Sequence, residues 1–390
     1  MKIAIASCTH PASVGGLAAY QRELASGLQK LCSVDGKFVS VQQVQTSLAC
    51  SRPNGAETLN WPVTDLMALS AWKKQHKFFM RVATKRLLVG LADKLSCAMN
   101  TKPSWKSALA GVDALHFVGT GWDIIGYPLW REARAAGVPF TIWPAVHPDS
   151  WGDDMFDIRL YQKADTIFCQ SDYERNHLAA RGVATEKLAR CGLPPMCHQS
   201  DNSQEFRRKL DIGERLSVLF LGRRDVGKGY PALLEAWPLV LEKCPEAVLI
   251  LAGPGPVDEA RLAKFPASAL RDLGCPSEQQ KADAYAACDA FCLPSAHESF
   301  GIVYVEAWSF GKPVVCGTAP ASRELVEDNV TGLWANQQPQ QLANNLLRLL
   351  MNHDYRHSLG AAGLHRQLSS FTVESMVNQH LSAWQTTALN

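Results

Sequence analysis

Two glutamates, Glu298 and Glu306, frame the stretch HESFGIVYVE, with a Ser-Phe-Gly corner directly after the first. Paired carboxylates can work as an acid and a nucleophile on a glycosidic bond, or they can accept hydrogen bonds from sugar hydroxyls. If Ser299 caps a helix that begins near Gly301, the helix start presents backbone N–H groups and a positive dipole end to a phosphate. Glu306 then lies roughly 10 Å along the axis, at about 1.5 Å per residue. A carboxylate there can accept two hydrogen bonds from a cis-diol such as ribose, while Glu298 reaches the opposite end of the same ligand. The spacing therefore fits the two ends of a nucleoside diphosphate sugar. The plain alternative is a pair of solvated helix glutamates.

Basic residues decide between the first two chemistries. In SVLFLGRRDVGKGYPALLEAW a strand ends at Gly222 and a helix resumes near Pro231, with Arg223, Arg224 and Lys228 between them. Such a loop suits anionic oxygens. A phosphate leaving group needs charge neutralisation rather than protonation, which disfavours a glycoside hydrolase. Gly222 to Lys228 also spells G-x-x-x-x-G-K, but Gly229 stands where a Mg²⁺-binding Ser or Thr belongs, and no Walker B strand follows. Gly15 and Gly16 come between the first strand and a helix. No complete G-x-G-x-x-G occurs, which disfavours a nicotinamide enzyme. TGLWANQQ reads as a further glycine-bearing turn.

These residues need strands to bring them together. KIAIAS, ALHFVG, FTIWPA and TIFCQS read as strands in the first half, and SVLFLG, AVLILAG, AFCLPS and PVVCGT in the second. Helical patterns such as AAYQRELASGLQKL and PALLEAWPLVLEKC separate them, so both halves predict an α/β parallel sheet. The aperiodic stretch GLPPMCHQSDNSQ is the linker candidate. The expected domains are residues 1–195, residues 196–370, and a helix over 371–390 packing back toward the first. Ligands bind beyond the carboxyl ends of such strands, which is where the motifs fall.

At 390 residues, two domains are the natural expectation. An apolar fraction of 47% and a net charge of +2 describe an ordinary globular chain with no bulk attraction to nucleic acid. No apolar run approaches the roughly 18 residues of a membrane span, and MKIAIASC reads as a strand rather than a secretory signal. The twelve cysteines contain no C-x-x-C and suit buried thiols in a reducing cytoplasm.

The chain resembles the GT-B glycosyltransferases of family 4, the retaining glycosyl transferases of group 1. HESFGIVYVEAWSFGKPVV resembles the family's E-x7-E signature, LGRRDVGKGYPALLEAW its phosphate segment, and ADTIFCQSDYERNHLAARGV the end of its N-terminal domain. The resemblance implies two Rossmann-like domains facing each other across a cleft, the first holding the acceptor and the second the donor. It implies that Arg223 and Lys228 neutralise the donor diphosphate and that Glu298 contacts the donor sugar. Ser299, Phe300 and Gly301 would hold phosphate or sugar through backbone amides, and Glu306 would bind ribose. Gly15 and Gly16 would approach the phosphates, and His147 in WPAVHP matches a histidine near the reacting sugar. Arg224 beside Arg223 leaves open which arginine serves the diphosphate.

A retaining hexosyltransferase acting on a glycan or lipid-linked acceptor is thus expected, with a UDP or GDP sugar as substrate and no cofactor. With no D-x-D string, no metal is expected. The alternative is a non-catalytic subunit that binds nucleotide sugar and supports a partner enzyme. Residues 70–111 carry nine Lys/Arg against one acid. Lys73, Lys74, Lys77, Arg81 and Lys85 share one sector of a helical wheel, opposite Trp72, Phe79, Val82 and Leu87. That face suits an anionic membrane surface or an acidic acceptor, or equally a solvated face of a packed helix. A cytoplasmic protein, peripheral on the inner face of the cytoplasmic membrane, is the corresponding expectation.

Overall fold

The computed structural model describes residues 2–9, 15–34, 40–45, 63–65, 74–79, 89–99 and 109–388. It divides into two compact units, Met1–Leu193 together with Val373–Asn390, and Pro194–Thr372. The division falls inside the proline-bearing linker stretch, where no strand or helix pattern competes.

The first unit holds seven strands: β1 (Lys2–Ser7), β2 (Ser40–Gln45), β3 (Val63–Asp65), β4 (Ala114–Val118), β5 (Phe140–Trp143), β6 (Thr166–Cys169) and β7 (Leu188–Arg190). They pair in parallel in the order β3-β2-β1-β4-β5-β6-β7. Ile3 through Ala6 are fully buried, as expected of a parallel strand covered on both faces. The short or polar strands β2, β3 and β7 escaped the sequence reading, because SVQQVQ, VTD and LAR carry too little apolar signal.

The helix Val373–Ala388 belongs to this first unit and packs against the helix Gly16–Val34. Gly27 permits the approach, since a Cβ there would stand 2.5 Å from Val373 Cγ1. A buried polar chain then pins the helix. Trp384 Nε1 donates to Thr141 Oγ1 at 3.0 Å, and Thr141 Oγ1 meets His116 Nδ1 at 2.9 Å. His116 Nε2 meets Tyr20 Oη at 2.9 Å, Tyr20 Oη meets His380 Nε2 at 2.7 Å, and His380 Nδ1 meets the Met376 carbonyl at 2.7 Å. One proton order satisfies every member: both histidines neutral, with the protons on His116 Nε2 and His380 Nδ1. Burial holds both histidines below their ordinary pKa, His380 at about 4.

The second unit holds β8 (Ser217–Leu221), β9 (Val248–Ala252), β10 (Leu270–Asp272), β11 (Ala290–Leu293), β12 (Val314–Cys316) and β13 (Gly332–Trp334). All are parallel, in the order β10-β9-β8-β11-β12-β13. This is the doubly wound arrangement, and its strand order reverses between β8 and β11. The stretch expected as a turn at TGLWA is instead β13. Leu333 is fully buried there, and a side chain at 332 would collide with Val314. Among the described residues no helix is long and apolar enough to cross a membrane. The cysteines with described side chains are free thiols, most of them buried.

Lys74 and Lys77 lie exposed in the helical segment 74–79, while Phe79 is fully buried, as the wheel requires of that stretch. Lys73, Arg81 and Lys85 lie outside the described residues.

Candidate functional site

The loops leaving β8 and β11 flank the point where the second sheet reverses its strand order, the natural ligand position of such a sheet. Lys228 comes from the first loop and Glu298 from the second. Lys228 Nζ donates to Glu298 Oε1 at 2.6 Å and to the His297 carbonyl at 3.3 Å. The two side chains are only 14% and 8% exposed, so this is a largely desolvated pair.

The loops are joined by the backbone as well. Ala296 N donates to the Gly227 carbonyl at 2.8 Å, and buried Ser295 adds its hydroxyl to the same oxygen at 3.1 Å. Gln337 Nε2 bridges the Val226 and Pro294 carbonyls at 3.0 Å each. Gly229 has φ +75°, and a Cβ there would lie 2.5 Å from the Pro294 carbonyl oxygen. Lys228 and Glu298 are thus positioned by a rigid seam rather than by free loops.

The two arginines separate clearly. Arg224 is buried, grips both carboxylate oxygens of Asp272 and donates Nε to the Gly253 carbonyl at 3.0 Å. It ties the β8 loop to the end of β10. Arg223 has a side chain 70% exposed, with Nε 3.3 Å from Asp225 Oδ2. Of the pair, Arg223 is the one available to a ligand.

The helix that carries Glu306 runs Ile302–Ser309, and its N-cap is Gly301 at φ +91°, not Ser299. A Cβ at position 301 would press within 2.6 Å of the Tyr304 ring, so the corner is set by glycine geometry instead of a capping hydroxyl. Phe300 is buried, its ring 5.7 Å from that of Phe371. That aromatic anchor holds the turn, and the first helical N–H groups have no partner within the helix.

Glu306 is buried, its side chain 3% exposed. Lys281 Nζ lies 3.2 Å from Oε1, and the Tyr285 hydroxyl donates to Oε2 at 3.0 Å. Burial pushes the Glu306 carboxyl pKa up, against the pull of Lys281 and Tyr285. Burial alone would lower the Lys281 ammonium, but Glu306 and Glu278 outweigh it and hold it above the ordinary lysine value. Sequence reasoning missed Lys281 and Tyr285. Their signal was slight: two long polar side chains at i and i+4 in the alanine-rich KADAYAA.

Gly15, Gly16 and His147 belong to the first unit. Gly15 has φ +126°, Gly16 opens the first helix, and among the described residues an added Cβ at either meets nothing within 4 Å. His147 follows β5 and is half-buried, so it is not a core histidine. Its backbone pairs with Trp151 at 2.9 and 3.0 Å. The preceding residue, Val146, donates N–H to buried Glu174 at 2.7 Å. Burial raises the Glu174 carboxyl to about 8. Beyond His147, Asp149, Asp153 and His177 stand close enough to share a cation. The Arg181 guanidinium lies 3.1 Å from Asp149 and 3.4 Å from Asp153, supplying positive charge there. Asp153 accepts from the Asp149 N–H at 2.8 Å and meets His177 Nε2 at 2.7 Å, which fastens the loop after His147.

Comparison with known proteins agrees with this layout. The family model described as Glycosyl transferases group 1 matches residues 215–352, which include both loops and both glutamates. The phosphatidyl-myo-inositol mannosyltransferase of Mycobacterium tuberculosis is 37% identical over 155 residues, 38% of this chain and 41% of that protein. The chain thus spans well under half the length of that relative. The GDP-mannose-dependent alpha-(1-6)-phosphatidylinositol monomannoside mannosyltransferase of the same organism is 30% identical over 276 residues, 64% of this chain and 71% of that protein. Among solved structures, Anabaena HepE in complex with UDP-glucose superposes with TM-score 0.70 at 16% identity, covering 99% of this chain and 100% of that one. Sucrose-phosphate synthase from Thermosynechococcus elongatus gives 0.72 at 18% identity, covering 99% and 98%. At such identities the structures speak to the fold. The relative that is 30% identical shows that the chain belongs to the glycosyl transferases group 1, and the solved structures, taken with the two doubly wound sheets, show the two-domain GT-B fold of family 4-like glycosyltransferases.

Proposed function

We propose that the chain is a retaining glycosyltransferase that moves a sugar from a nucleoside diphosphate sugar to a glycan or lipid-linked acceptor, in cell-surface polysaccharide or glycolipid assembly. The observation that carries this reading is the Lys228–Glu298 pair at the switch point of the second sheet. As the acceptor hydroxyl oxygen bonds to the anomeric carbon and gives its proton to the departing diphosphate, the bond from that carbon to the diphosphate breaks and its electron pair leaves with the diphosphate. Lys228 and Arg223 stabilise that charge, the largest electrostatic demand of the step. Lys228 exchanges Glu298 for phosphate oxygen when donor binds, which frees Glu298 to accept hydrogen bonds from sugar hydroxyls. Ser299, Phe300 and Gly301 offer backbone amides, and Glu306 accepts from the ribose. The two basic side chains do the work of a divalent cation, so the reaction runs without metal, and the nucleotide sugar is a substrate rather than a cofactor.

Relatives that use GDP-mannose and act on phosphatidylinositol lipids make GDP-mannose the first donor to test and an inositol lipid the first acceptor. The basic stretch that includes Lys74 and Lys77 meets the anionic inner surface of the cytoplasmic membrane, where such an acceptor resides. The experiment is to incubate the protein with GDP-mannose or UDP-glucose and phosphatidylinositol vesicles. Release of nucleoside diphosphate together with a glycosylated lipid supports the reading. Binding of donor without turnover on any lipid or glycan favours a non-catalytic subunit.

A further inference from the structure

Both oxygens of Glu306 are engaged by a single neighbouring helix, Glu278–Ala287. Lys281 and Tyr285 are four residues apart on it and so share one face. Lys281 also contacts Glu278 Oε2 at 2.9 Å. From the linker, buried Cys197 faces the same cluster, with its thiol held neutral by burial and the nearby Glu306 carboxylate. Among these groups only Lys281 brings positive charge.

An ionised carboxylate is acceptor-only and has about four lone-pair sites. Lys281 and Tyr285 occupy one site on each oxygen, leaving one on each for the two hydroxyls of a ribose. If Glu306 were protonated, one of those acceptors would become a donor and the match would fail. A buried carboxylate without a counter-charge shifts toward that protonated form. Tyr285 can orient the group but cannot supply charge. We propose that Lys281 is a positioning residue for nucleotide-sugar binding, keeping Glu306 ionised and presenting its two remaining lone pairs to the ribose diol. This rests on the reading of Glu306 as the ribose acceptor.

The test is a pH profile of donor binding between pH 5.5 and 8.5, using intact GDP-mannose and UDP-glucose. Their diphosphates lack the terminal phosphate ionisation near pH 6 that would confound free nucleotides. Wild type binds with nearly constant affinity across this range. Lys281→Met binds about tenfold more weakly at pH 5.5 than at 8.5, a one-unit linkage. Lys281→Arg restores the flat profile. Parallel profiles for Lys281→Met and wild type overturn the proposal. Glu306→Gln separates it from the reading beneath: undiminished affinity in that variant removes the ribose role itself, whereas weakened affinity with parallel profiles removes only the role of Lys281. Should Lys281→Met fail to fold, difference infrared of wild type against Glu306→Gln decides. A carboxylate band persisting to pH 5.5 supports the proposal, and its loss by pH 7 contradicts it.

Discussion

Lys228 Nζ lies 2.6 Å from Glu298 Oε1, although 70 residues separate them in the chain. Each residue closes the loop after one of the two strands between which the sheet order reverses. Removing one partner of a largely desolvated pair leaves the other uncompensated. Neither side chain can therefore leave the pair without another partner for its charge, and in the proposed function a diphosphate is that partner for Lys228.

The adjacent arginines should respond differently. Arg224→Ala breaks a buried ion pair with Asp272 and should cost about 3 kcal/mol of stability, read by chemical denaturation. Arg223→Ala should leave stability within about 0.5 kcal/mol, as for ordinary surface positions, and lower turnover by roughly tenfold or more. The reverse pattern would exchange their assignments.

Transfer should survive chelation. If Arg223 and Lys228 neutralise the leaving group as proposed, excess EDTA should leave the initial rate unchanged. Complete loss restored by Mg²⁺ or Mn²⁺ would point to a metal-assisted step instead.

His147 sits half-buried in a loop fastened by its neighbours, namely Val146 to Glu174 and Asp149 to Asp153. His147→Ala should thus lower turnover by about tenfold or more, in line with the sensitivity of reacting centres to positioning, with little change in melting temperature. A large stability loss with normal specific activity would assign the histidine to packing.

Acid should loosen the first unit through its buried histidines. The folded pKa of His380 is depressed to about 4 from an unfolded 6.5. Its contribution is therefore fully present above pH 6.5 and lost as pH falls toward 4, about 3 kcal/mol at about 1.4 kcal/mol per unit. Glu174 works oppositely, its raised pKa favouring the fold below pH 4.5 and losing that contribution as pH rises through about 8. The difference between wild type and His380→Gln isolates the histidine. The melting temperature of wild type relative to the variant should decline from pH 7 to pH 4.5, and a constant difference would remove its role in pinning the final helix.

Much of the fold was legible in the sequence, and the candidate site residues sit where strands end. The apolar runs from β4 to β6 and from β8 to β12, except for the short polar β10, announce buried parallel strands, and the basic loop and E-x7-E stretch follow two of them directly. What escaped was set by tertiary contact. Gly301 rather than Ser299 begins the Glu306 helix, because Tyr304 fills the space a side chain would need. The partition between Arg223 and Arg224 depends on Asp272, 48 residues from Arg224 and on another strand. Lys281 and Tyr285 lie in a helix whose sequence looks unremarkable until Glu306 packs against it.

The central claim, that the loops after β8 and β11 hold the donor, is tested most directly by calorimetric titration of GDP-mannose, UDP-glucose, GDP, UDP and ADP into wild type, Lys228→Ala and Glu306→Ala. At least one of these ligands should bind wild type. Lys228→Ala should weaken that ligand about tenfold or more, as expected for a lost charge-assisted contact of about 1.5 kcal/mol, and Glu306→Ala should weaken it comparably. Unchanged affinity for every nucleotide in both variants, with folding intact, would contradict the assignment.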